Sequence, residues 1–516
     1  MSFRRLLLSA QILLLMFSGA TDVPAQTIER WSTFEVELAG PRDGNPFAEV
    51  ELSAEFRCGD HLHRVDGFYD GDGIYRIRFM PYLDGGWEFT THSNRPALDG
   101  KTGRFACTPP APGNHGPVRV GGNCQFEYAD GARCTCFGTT CYAWIHQPEQ
   151  LQDQTIRTLA SAPFNKLRMC IFPKNYAYNT NEPERYPFVK KTGGGFDLRR
   201  FAPDFWRNLE RRIGQLRDLK IDADVILFHP YDEGRWGFDR MEAASDDFYL
   251  RYTIARLAAF RNVWWSVANE YDFMKSKNMG DWDRFFHILQ KRDPYQHLRS
   301  IHNGSKWYDY GKPWVTHVSL QSSDLTGGVR LREQYHKPVV YDECCYEGNV
   351  EWLWGNITPE QMTQRFWDGI LRGCYVGHGE TYLDPKDILW WSKGGVLHGS
   401  SPHRIAFLRR IIEEAPAPLV PITNMFGWEH NAIAESGVPG RFYLIYFGQH
   451  QPARKDLPLP TDGRFEIEVI DTWNMTFTPL PGTYSGKCRI ELPGKPYIAL
   501  RIKRLDGSAV EALPPG

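Results

Sequence analysis

Eight short apolar stretches alternate with helical segments across the middle of this 516-residue chain. The strand candidates are residues 134–140, 166–172, 223–229, 263–269, 297–302, 315–321, 338–343 and 373–380. Strands that are apolar along their whole length are buried on both faces, which is typical of parallel sheets covered by helices. Eight such strands alternating with helices predict a closed (β/α)8 TIM barrel, an α/β fold.

The segments between these strands carry their own helix signals. Pro203 opens a helix whose apolar residues recur at helical spacing, and Thr358 with Gln361 forms a capping box around Pro359. The alternation is weakest at 302–338, because that span leaves room only for short or missing helices. We therefore expect an irregular barrel wall there.

Strands of a different kind flank the barrel. Residues 28–108 alternate polar and apolar side chains between Gly and Asp turns, which predicts the half-buried antiparallel strands of a sandwich. Similar alternation returns after the proline-rich stretch at 416–421. We therefore expect an N-terminal β-sandwich at 28–108, a barrel at 114–415 and a C-terminal β-sandwich at 422–505. We interpret the first sandwich as a brace for the barrel rather than as a glycan-binding module.

The first residues have the form of an export signal. Arg4 and Arg5 precede an apolar run at 6–17, and small residues follow, so residues 1–25 are predicted to be a signal peptide. The run is shorter than the roughly 20 residues that span a bilayer. We expect a secreted or periplasmic protein that begins near Gln26 and has no membrane contact after cleavage.

Composition excludes some partners and leaves others open. The formal charge of −2, from 60 basic and 62 acidic residues, offers no electrostatic basis for binding nucleic acid or an anionic membrane. The 11 cysteines lack the spacing of a zinc site, so we expect no metal ion and no cofactor. Cys58 and Cys107 could form a disulfide within the first domain. Nothing in the sequence indicates an oligomeric state.

Two of the strand candidates lead into a glutamate, Glu270 after 263–269 and Glu343 at the end of 338–343. The carboxyl ends of the strands form the active face of a parallel barrel, so both side chains can reach one mouth. Hydrolysis of a glycoside with retention requires two carboxyl groups about 5–5.5 Å apart, one to protonate the leaving oxygen and one to attack the anomeric carbon. The pair predicts a retaining glycosidase with a carbohydrate substrate.

The motifs around this pair resemble a known family. Asn269-Glu270 and Glu343 match the two motifs of the clan A glycoside hydrolases, and the stretches at 227–232 and 264–272 resemble the apiosidase-like barrels of that clan. The first sandwich and the tail resemble the domains usually fused to such barrels. The resemblance implies double displacement, with Glu270 as the general acid/base and Glu343 as the nucleophile. It also implies that Arg168 holds Glu343 ionised through a charge-assisted hydrogen bond, and that Asn269 binds the sugar 2-hydroxyl.

Further residues at strand ends complete the predicted site. Candidates for contact with the substrate are His229, His302, Gln321 and Glu380, and the aromatic residues Trp144, Trp236, Trp390 and Trp391. Members of the clan often place a tyrosine beside the nucleophile from strand six, where this chain has Gln321. We therefore expect the support of Glu343 to differ from the family pattern.

Two other interpretations stay open at this point. The barrel could bind a glycan without cleaving it, with both glutamates structural. Alternatively, His229, His302 and His317 could hold a metal ion in a metal-dependent hydrolase, although they lack a compact ligand motif. The motifs do not distinguish among plant or microbial polysaccharides and oligosaccharides, or between exo and endo cleavage.

Overall fold

The structure is a computed structural model that describes residues 26–384 and 388–506, so the predicted signal peptide at 1–25 lies outside the described residues. An eight-stranded parallel barrel stands between two β-rich domains, which confirms the predicted fold class. None of the described helices is long and apolar enough to cross a membrane. All 11 cysteines are free thiols, so the disulfide considered between Cys58 and Cys107 is not formed.

The N-terminal domain is built from seven strands whose side chains alternate between its two faces. The strands are Gln26–Glu29, Phe34–Ala39, Leu52–Cys58, His61–Tyr69, Ile74–Phe79, Gly85–Ser93 and Thr102–Thr108, with a short helix at Pro46–Glu49. They pair antiparallel, except that the first strand runs parallel to the last. The alternation stacks Phe56 on Phe79 at 4.2 Å and Phe34 on Phe105 at 4.0 Å between ring centroids, so the buried face is aromatic.

The barrel consists of eight parallel strands. In chain order they are Phe137–Thr140, Lys166–Cys170, Asp222–Phe228, Val263–Ala268, Arg299–Ser300, Val318–Gln321, Val339–Glu343 and Tyr375–His378, called here strands one to eight. Neighbours in this order pair in parallel, strand eight pairs with strand one, and a bridge from His302 to Ser319 joins strands five and six. The ring therefore closes, and each strand overlaps one predicted segment.

Helices separate most of the barrel strands. They are Glu149–Ser161, Pro203–Asp218, Ala243–Leu257, Met279–Arg292, Gly328–Tyr335, Pro359–Leu371, Trp390–Lys393 and Ser401–Glu414. The predicted capping box forms, because the Thr358 side chain accepts from the Gln361 N–H and the Gln361 side chain accepts in return. No helix separates strands five and six in this described part of the chain, and strand six is followed by one of only 8 residues. The irregular wall expected at 302–338 is thus present.

A hairpin of Val118–Val120 and Phe126–Tyr128 fills the amino-terminal end of the barrel. The ring of Phe126 lies 4.9 Å from that of Trp264 and 4.7 Å from that of Tyr375, between centroids. The N–H of Phe126 also donates to the Tyr375 hydroxyl at 2.8 Å. This end of the barrel is therefore packed with apolar side chains.

The middle of the barrel is ionic. The Lys166 ammonium lies 2.5 Å from an Asp224 oxygen and 2.7 Å from an Asp342 oxygen, and Ser319 donates to the second Asp342 oxygen. Burial alone would raise the pKa of Asp342, but the charges of Lys166 and Arg168 outweigh it and leave that pKa well below its usual range. These opposite charges let polar side chains fill a barrel interior that is closed to water.

The C-terminal domain is again antiparallel. Its strands are Val420–Pro421, Ala434–Val438, Phe442–Tyr446, Arg454–Pro458, Phe465–Asp471, Thr476–Pro479, Lys487–Glu491 and Ile498–Arg504. Six of them form one sheet and two form a separate ribbon. One face of the sheet packs on the barrel, where the ring of Tyr446 stacks on Trp367 at 5.3 Å between centroids. The other face builds a small aliphatic core around Leu457, Ile467 and Ile490.

A buried ion network joins the N-terminal domain to the barrel. The guanidinium of Arg256, on helix Ala243–Leu257, donates to Asp70 of the first domain at 2.8 Å and to Glu210 of the barrel at 2.9 Å. Arg78 of the first domain donates to the same Glu210 at 3.0 Å. Burial raises the pKa of Glu210, but the two arginines outweigh it and lower that pKa to about 2. The network supports the interpretation of this domain as a brace.

Replacement of Arg256 by methionine is expected to lower the free energy of unfolding by about 1.5–3 kcal/mol, because Asp70 and Glu210 each lose one charged hydrogen-bond partner while other arginines stay bonded to them. The measurement is the midpoint of urea unfolding. The matched control is Arg251→Met on the same helix, where the side chain is exposed and the change is expected to stay within about 0.5 kcal/mol. Equal midpoints for the two variants would contradict a bracing role.

Candidate active site

Glu270 and Glu343 both lie at the carboxyl end of the barrel. Glu270 lies two residues beyond the end of strand four and has φ of 47°, in the left-handed region that a glutamate rarely adopts. This turn ends the strand and starts a short 3-10 segment at Tyr271–Phe273. Glu343 is the last residue of strand seven. Glu270 is only 7% exposed and Glu343 only 4%, so both carboxyl groups are largely screened from water.

Tyr142 and Asn269 lie in contact with one another between the two carboxyl groups. The Tyr142 hydroxyl, two residues beyond strand one, donates to Oε1 of Glu343, and its oxygen lies 3.0 Å from Oδ1 of Asn269. The amide nitrogen of Asn269 donates to Oε2 of Glu270 at 2.9 Å. Two side chains therefore bridge the mouth from one glutamate to the other.

Two more tyrosines hold the carboxyl groups from outside this bridge. Tyr346 donates to Oε2 of Glu343, and Tyr231 donates to Oε2 of Glu270. Burial raises the pKa of both hydroxyls, and the neighbouring carboxylates raise them further, so both remain donors at any physiological pH. Each oxygen of Glu343 thus accepts a hydrogen bond from a tyrosine hydroxyl, and the two bonds fix the orientation of the carboxylate.

Arg168 lies below Glu343 rather than bonded to it. Its Nη1 is 3.8 Å from Oε1 of Glu343, an ion-pair distance, so the direct hydrogen bond expected from the resemblance is not formed. The guanidinium donates instead to the Tyr142 hydroxyl at 3.3 Å and pairs with Asp224 and Asp342 of the ionic layer. The physical reason is that three carboxylates share one guanidinium, whose Nε lies 3.5 Å from Asp224 and 3.8 Å from Asp342.

The pKa of Glu270 is raised to about 7. Burial is the largest cause, and the charge of Glu343 adds to it. The charge of Lys174 and hydrogen bonds from Tyr231 and Gln321 act in the opposite direction without cancelling the rise. One carboxyl of the pair is therefore suited to carry a proton near neutral pH.

The other predicted contacts fall into two groups. Gln321 is half-buried beside Glu270, and Trp391 lines the site with its ring 5.9 Å from Tyr142 and 5.3 Å from Tyr346, between centroids. His229, His302, Glu380 and Trp144 are at most 3% exposed. We expect these four to support the walls of the site rather than to touch a sugar.

Particular contacts explain the second group. The two ring nitrogens of His229 face the Phe172 carbonyl and the Tyr231 N–H, both at 3.1 Å. Burial lowers the pKa of His229 to about 3 and that of His302 well below its usual range, so both are neutral. Trp144 is fully buried, with the Arg212 guanidinium 5.9 Å from its ring centroid. The aromatic candidates Trp236 and Trp390 are also buried.

Comparison with known proteins decides the family. The sequence profile of the apiosidase-like catalytic domain matches residues 122–396, more than half of the 516-residue chain. The chain belongs to the apiosidase-like family. Two domains of unknown function, DUF5060 and DUF5605, match its residues 27–94 and 428–503. None of the curated proteins matches this apiosidase-like chain.

Solved structures agree with this membership. One solved structure is that of a candidate glycoside hydrolase from Bacteroides vulgatus, which is 41% identical to this chain. The two structures superpose with a TM-score of 0.88, and the match covers 93% of this chain and 100% of the other. A family 5 glycoside hydrolase from Bacteroides vulgatus is 13% identical, with a TM-score of 0.59 over 78% of this chain and 98% of its own, and shares the fold alone. The apiosidase-like chain is an enzyme of the glycoside hydrolase class.

One group of side chains in the described part of the apiosidase-like chain could hold a metal ion. Ligand-type atoms of Glu347, His378 and Glu380 lie within 4.8 Å of one another. The histidines of the metal-dependent alternative, His229, His302 and His317, form no such group among the described residues.

The two carboxylates of that group already accept backbone hydrogen bonds. Glu380 accepts from the N–H groups of His398 and Gly399, and Glu347 from those of Ser400 and Ser401. Burial raises the pKa of Glu380 to about 8, and the charge of Glu347 adds to the rise. The group therefore clamps the start of helix Ser401–Glu414 to the barrel.

Sequence reasoning missed four residues of this apiosidase-like site. Tyr142, Tyr231 and Tyr346 hold the carboxyl groups, and Lys174 lies over the rings of the first two. All four lie in loops two to four residues beyond a barrel strand. Their position just after a barrel strand was the one sequence signal that they could reach the active face. A loop has no periodicity, however, so its sequence does not show where a side chain points.

Proposed function

We propose that this apiosidase-like chain is an exported, retaining glycoside hydrolase that cleaves O-glycosidic bonds in a plant or microbial polysaccharide or oligosaccharide. The observation that carries the proposal is the pair Glu270 and Glu343, joined across one barrel mouth through Asn269 and Tyr142. A carbohydrate substrate follows from the glycoside hydrolase class of the family. Secretion, to the periplasm or beyond, rests on the form of residues 1–25.

In the first step Glu343 attacks the anomeric carbon while Glu270 protonates the departing glycosidic oxygen. Tyr142 and Tyr346 hold the two oxygens of Glu343, so the carboxylate is oriented before the sugar binds. Glu270 has to be protonated at the start, and its pKa of about 7 keeps most of it so below that pH. The bond to the leaving oxygen breaks, an ester forms on Glu343, and Glu270 is left with the negative charge.

In the second step Glu270 acts as a base. It takes a proton from a water molecule, the water oxygen bonds to the anomeric carbon, and the ester to Glu343 breaks. Glu343 recovers its negative charge and Glu270 its proton, so the site returns to its starting state. Two successive inversions at one carbon give net retention.

Three side chains are proposed to contact the sugar. The amide nitrogen of Asn269 has a second N–H besides the one that bonds Glu270, and that N–H suits a sugar 2-hydroxyl. Gln321 can contact a hydroxyl beside Glu270, and Trp391 presents an aromatic face to a sugar ring. Arg168 is proposed to act through Tyr142 and the ionic layer instead.

The test is hydrolysis of a glycan panel by the wild-type protein, followed by NMR in the first minutes. The panel includes β-mannans, glucans, furanosides that carry apiose, and branched pectic fragments. We expect one class to release a sugar whose anomeric configuration is that of the bond cleaved. Release of the opposite anomer would contradict an ester intermediate. Binding of a glycan without hydrolysis of any would favour the non-catalytic interpretation.

A further inference from the structure

Lys174 is a buried lysine enclosed by aromatic rings at the active site. It follows strand two by four residues and is only 2% exposed. Its ammonium nitrogen lies 3.7 Å from the ring centroid of Tyr142, 4.1 Å from Tyr231, 4.8 Å from Tyr176 and 5.5 Å from Trp391. Four rings therefore surround one cation, next to the carboxyl pair.

Burying an ammonium group is costly, so its charge requires a reason. Contacts with aromatic faces return part of that cost, because the ring faces carry partial negative charge. A methionine of similar length would fill the same space without any electrostatic cost. The lysine is thus explained by what its charge does rather than by packing.

The cage connects this charge to both glutamates. The nearest ring, Tyr142, carries the hydroxyl that bonds Glu343, and the second nearest, Tyr231, carries the hydroxyl that bonds Glu270. The ammonium is attracted by the charges of both glutamates, although burial lowers its pKa and is the larger effect. Lys174 thus lies between the supports of the two carboxyl groups.

Other charged or titratable groups around Lys174 do not replace it. Arg168 lies 3.8 Å from Glu343, but it also pairs with Asp224 and Asp342 and none of its ion pairs reaches Glu270. Burial keeps His229 and His302 neutral. Burial also raises the pKa of Cys170 to about 12, so that thiol is neutral. The hydroxyls of Tyr142, Tyr176, Tyr231 and Tyr346 have raised pKa values because they are buried.

Double displacement moves one negative charge between the two glutamates. The charge is on Glu343 before attack and on Glu270 once the ester has formed, so the pair carries a single charge throughout. A fixed cation near both positions stabilises the charge in either place and need not move during the cycle. A cation beside only one glutamate would instead favour one half of the reaction.

We infer that Lys174 is a positioning residue that serves as the common counter-ion of Glu270 and Glu343, held in place by its aromatic cage. The inference rests on the proposed function, because the shared charge exists only in a two-carboxylate mechanism. It assigns Tyr142 and Tyr231 a double role, since they bond the carboxyl groups through their hydroxyls and hold the cation with their faces.

The test is the pH profile of kcat/KM for Lys174→Met. In the wild type kcat/KM should fall as Glu270 loses its proton above a pH of about 7, and this fall is the alkaline limb of the profile. Loss of the cation is expected to raise the pKa of Glu270, so the alkaline limb should move to higher pH by about one unit. We also expect kcat to fall by about tenfold or more, since one unit of pKa corresponds to a tenfold change in an equilibrium. Lys174→Arg retains the charge and should keep the limb near its wild-type position.

Lys190→Met is the matched control. Its ammonium also lies over an aromatic ring, 4.5 Å from the Tyr186 centroid, but the side chain is exposed and no catalytic glutamate is its partner. An alkaline limb at the wild-type pH in Lys174→Met, with only the rate reduced, would overturn the inference. Failure of both Lys174→Met and Lys174→Gln to fold would also overturn it, because it would assign the lysine to the core.

A second readout needs no substrate and separates this inference from the proposed function. Protein labelled with ¹³C at the glutamate side-chain carboxyl is titrated by NMR, and the Glu270 signal is assigned by its loss in Glu270→Gln. Lys174→Met should shift that titration upward by about one pH unit even if no glycan is found to be hydrolysed. An unchanged titration would reject the counter-ion role, whatever the activity of the enzyme.

Discussion

Replacement of Glu343 by glutamine is expected to reduce kcat by about four orders of magnitude or more, because an amide cannot form the glycosyl ester. The fold should survive, since the amide has the size of the carboxyl group. One of the two hydroxyls of Tyr142 and Tyr346 can still donate to the amide oxygen, and the other can accept from the amide nitrogen. The measurement is steady-state hydrolysis of the substrate identified in the panel, with the melting temperature as the check on folding.

A matched control and a rescue sharpen this test. Glu351→Gln changes an exposed glutamate near the same loops, bonded by Tyr178 at 3.2 Å, and should keep kcat within about twofold because exposed sites rarely change function. In Glu343→Ala, added azide can occupy the space of the carboxylate and attack the anomeric carbon directly, which should give a glycosyl azide with inverted configuration. A Glu343→Gln variant that keeps more than a tenth of the activity would exclude Glu343 as the nucleophile.

Replacement of Glu270 by glutamine is expected to cost a factor of about 10²–10⁴ in kcat with natural leaving groups, the range of general acid catalysis. The loss should be much smaller in the first step with activated aryl glycosides, because their leaving groups need no proton. The acid form of Glu270 is populated below its pKa of about 7, so wild-type kcat/KM should fall as the pH rises through that value. The glutamine variant cannot titrate and should lose this alkaline limb.

The comparison of leaving groups and of pH profiles therefore identifies Glu270 as the acid. Wild-type and Glu270→Gln proteins are assayed from about pH 4 to pH 9 with an aryl glycoside and with the natural substrate. An alkaline limb near pH 7 that persists in the variant would assign the limb to another group. An equal loss with both leaving groups would point to a structural effect rather than to proton transfer.

The barrel and its neighbours could be read from local patterns. Each strand from Phe137–Thr140 to Tyr375–His378 overlaps a predicted segment, because a buried parallel strand is apolar along its length and a covering helix repeats every 3.6 residues. The capping box at Thr358 was predicted for the same reason, since both of its partners lie within one helical turn. Glu270 and Glu343 were found because a strand end marks the mouth of a barrel.

Arg168 shows where such reasoning stops. Its position on strand two suggested a hydrogen bond to Glu343, but its contacts also depend on two aspartates from strands three and seven. The strength of each contact is set by distances of a few tenths of an ångström, as in the 3.8 Å gap to Glu343. Strand order alone does not determine such distances.

The sequence by itself determined the closed barrel, the two β-rich domains beside it and the two glutamates at its strand ends. Only the tertiary structure decided what holds those glutamates, because Tyr142 and Glu343 meet across 201 positions of sequence and Tyr142 comes from a loop without periodicity. The same holds for Lys174, whose cage is assembled from segments that follow strands one, two, three and eight. Burial and charge act through space, so the environment that sets the pKa of Glu270 exists only once the barrel has closed.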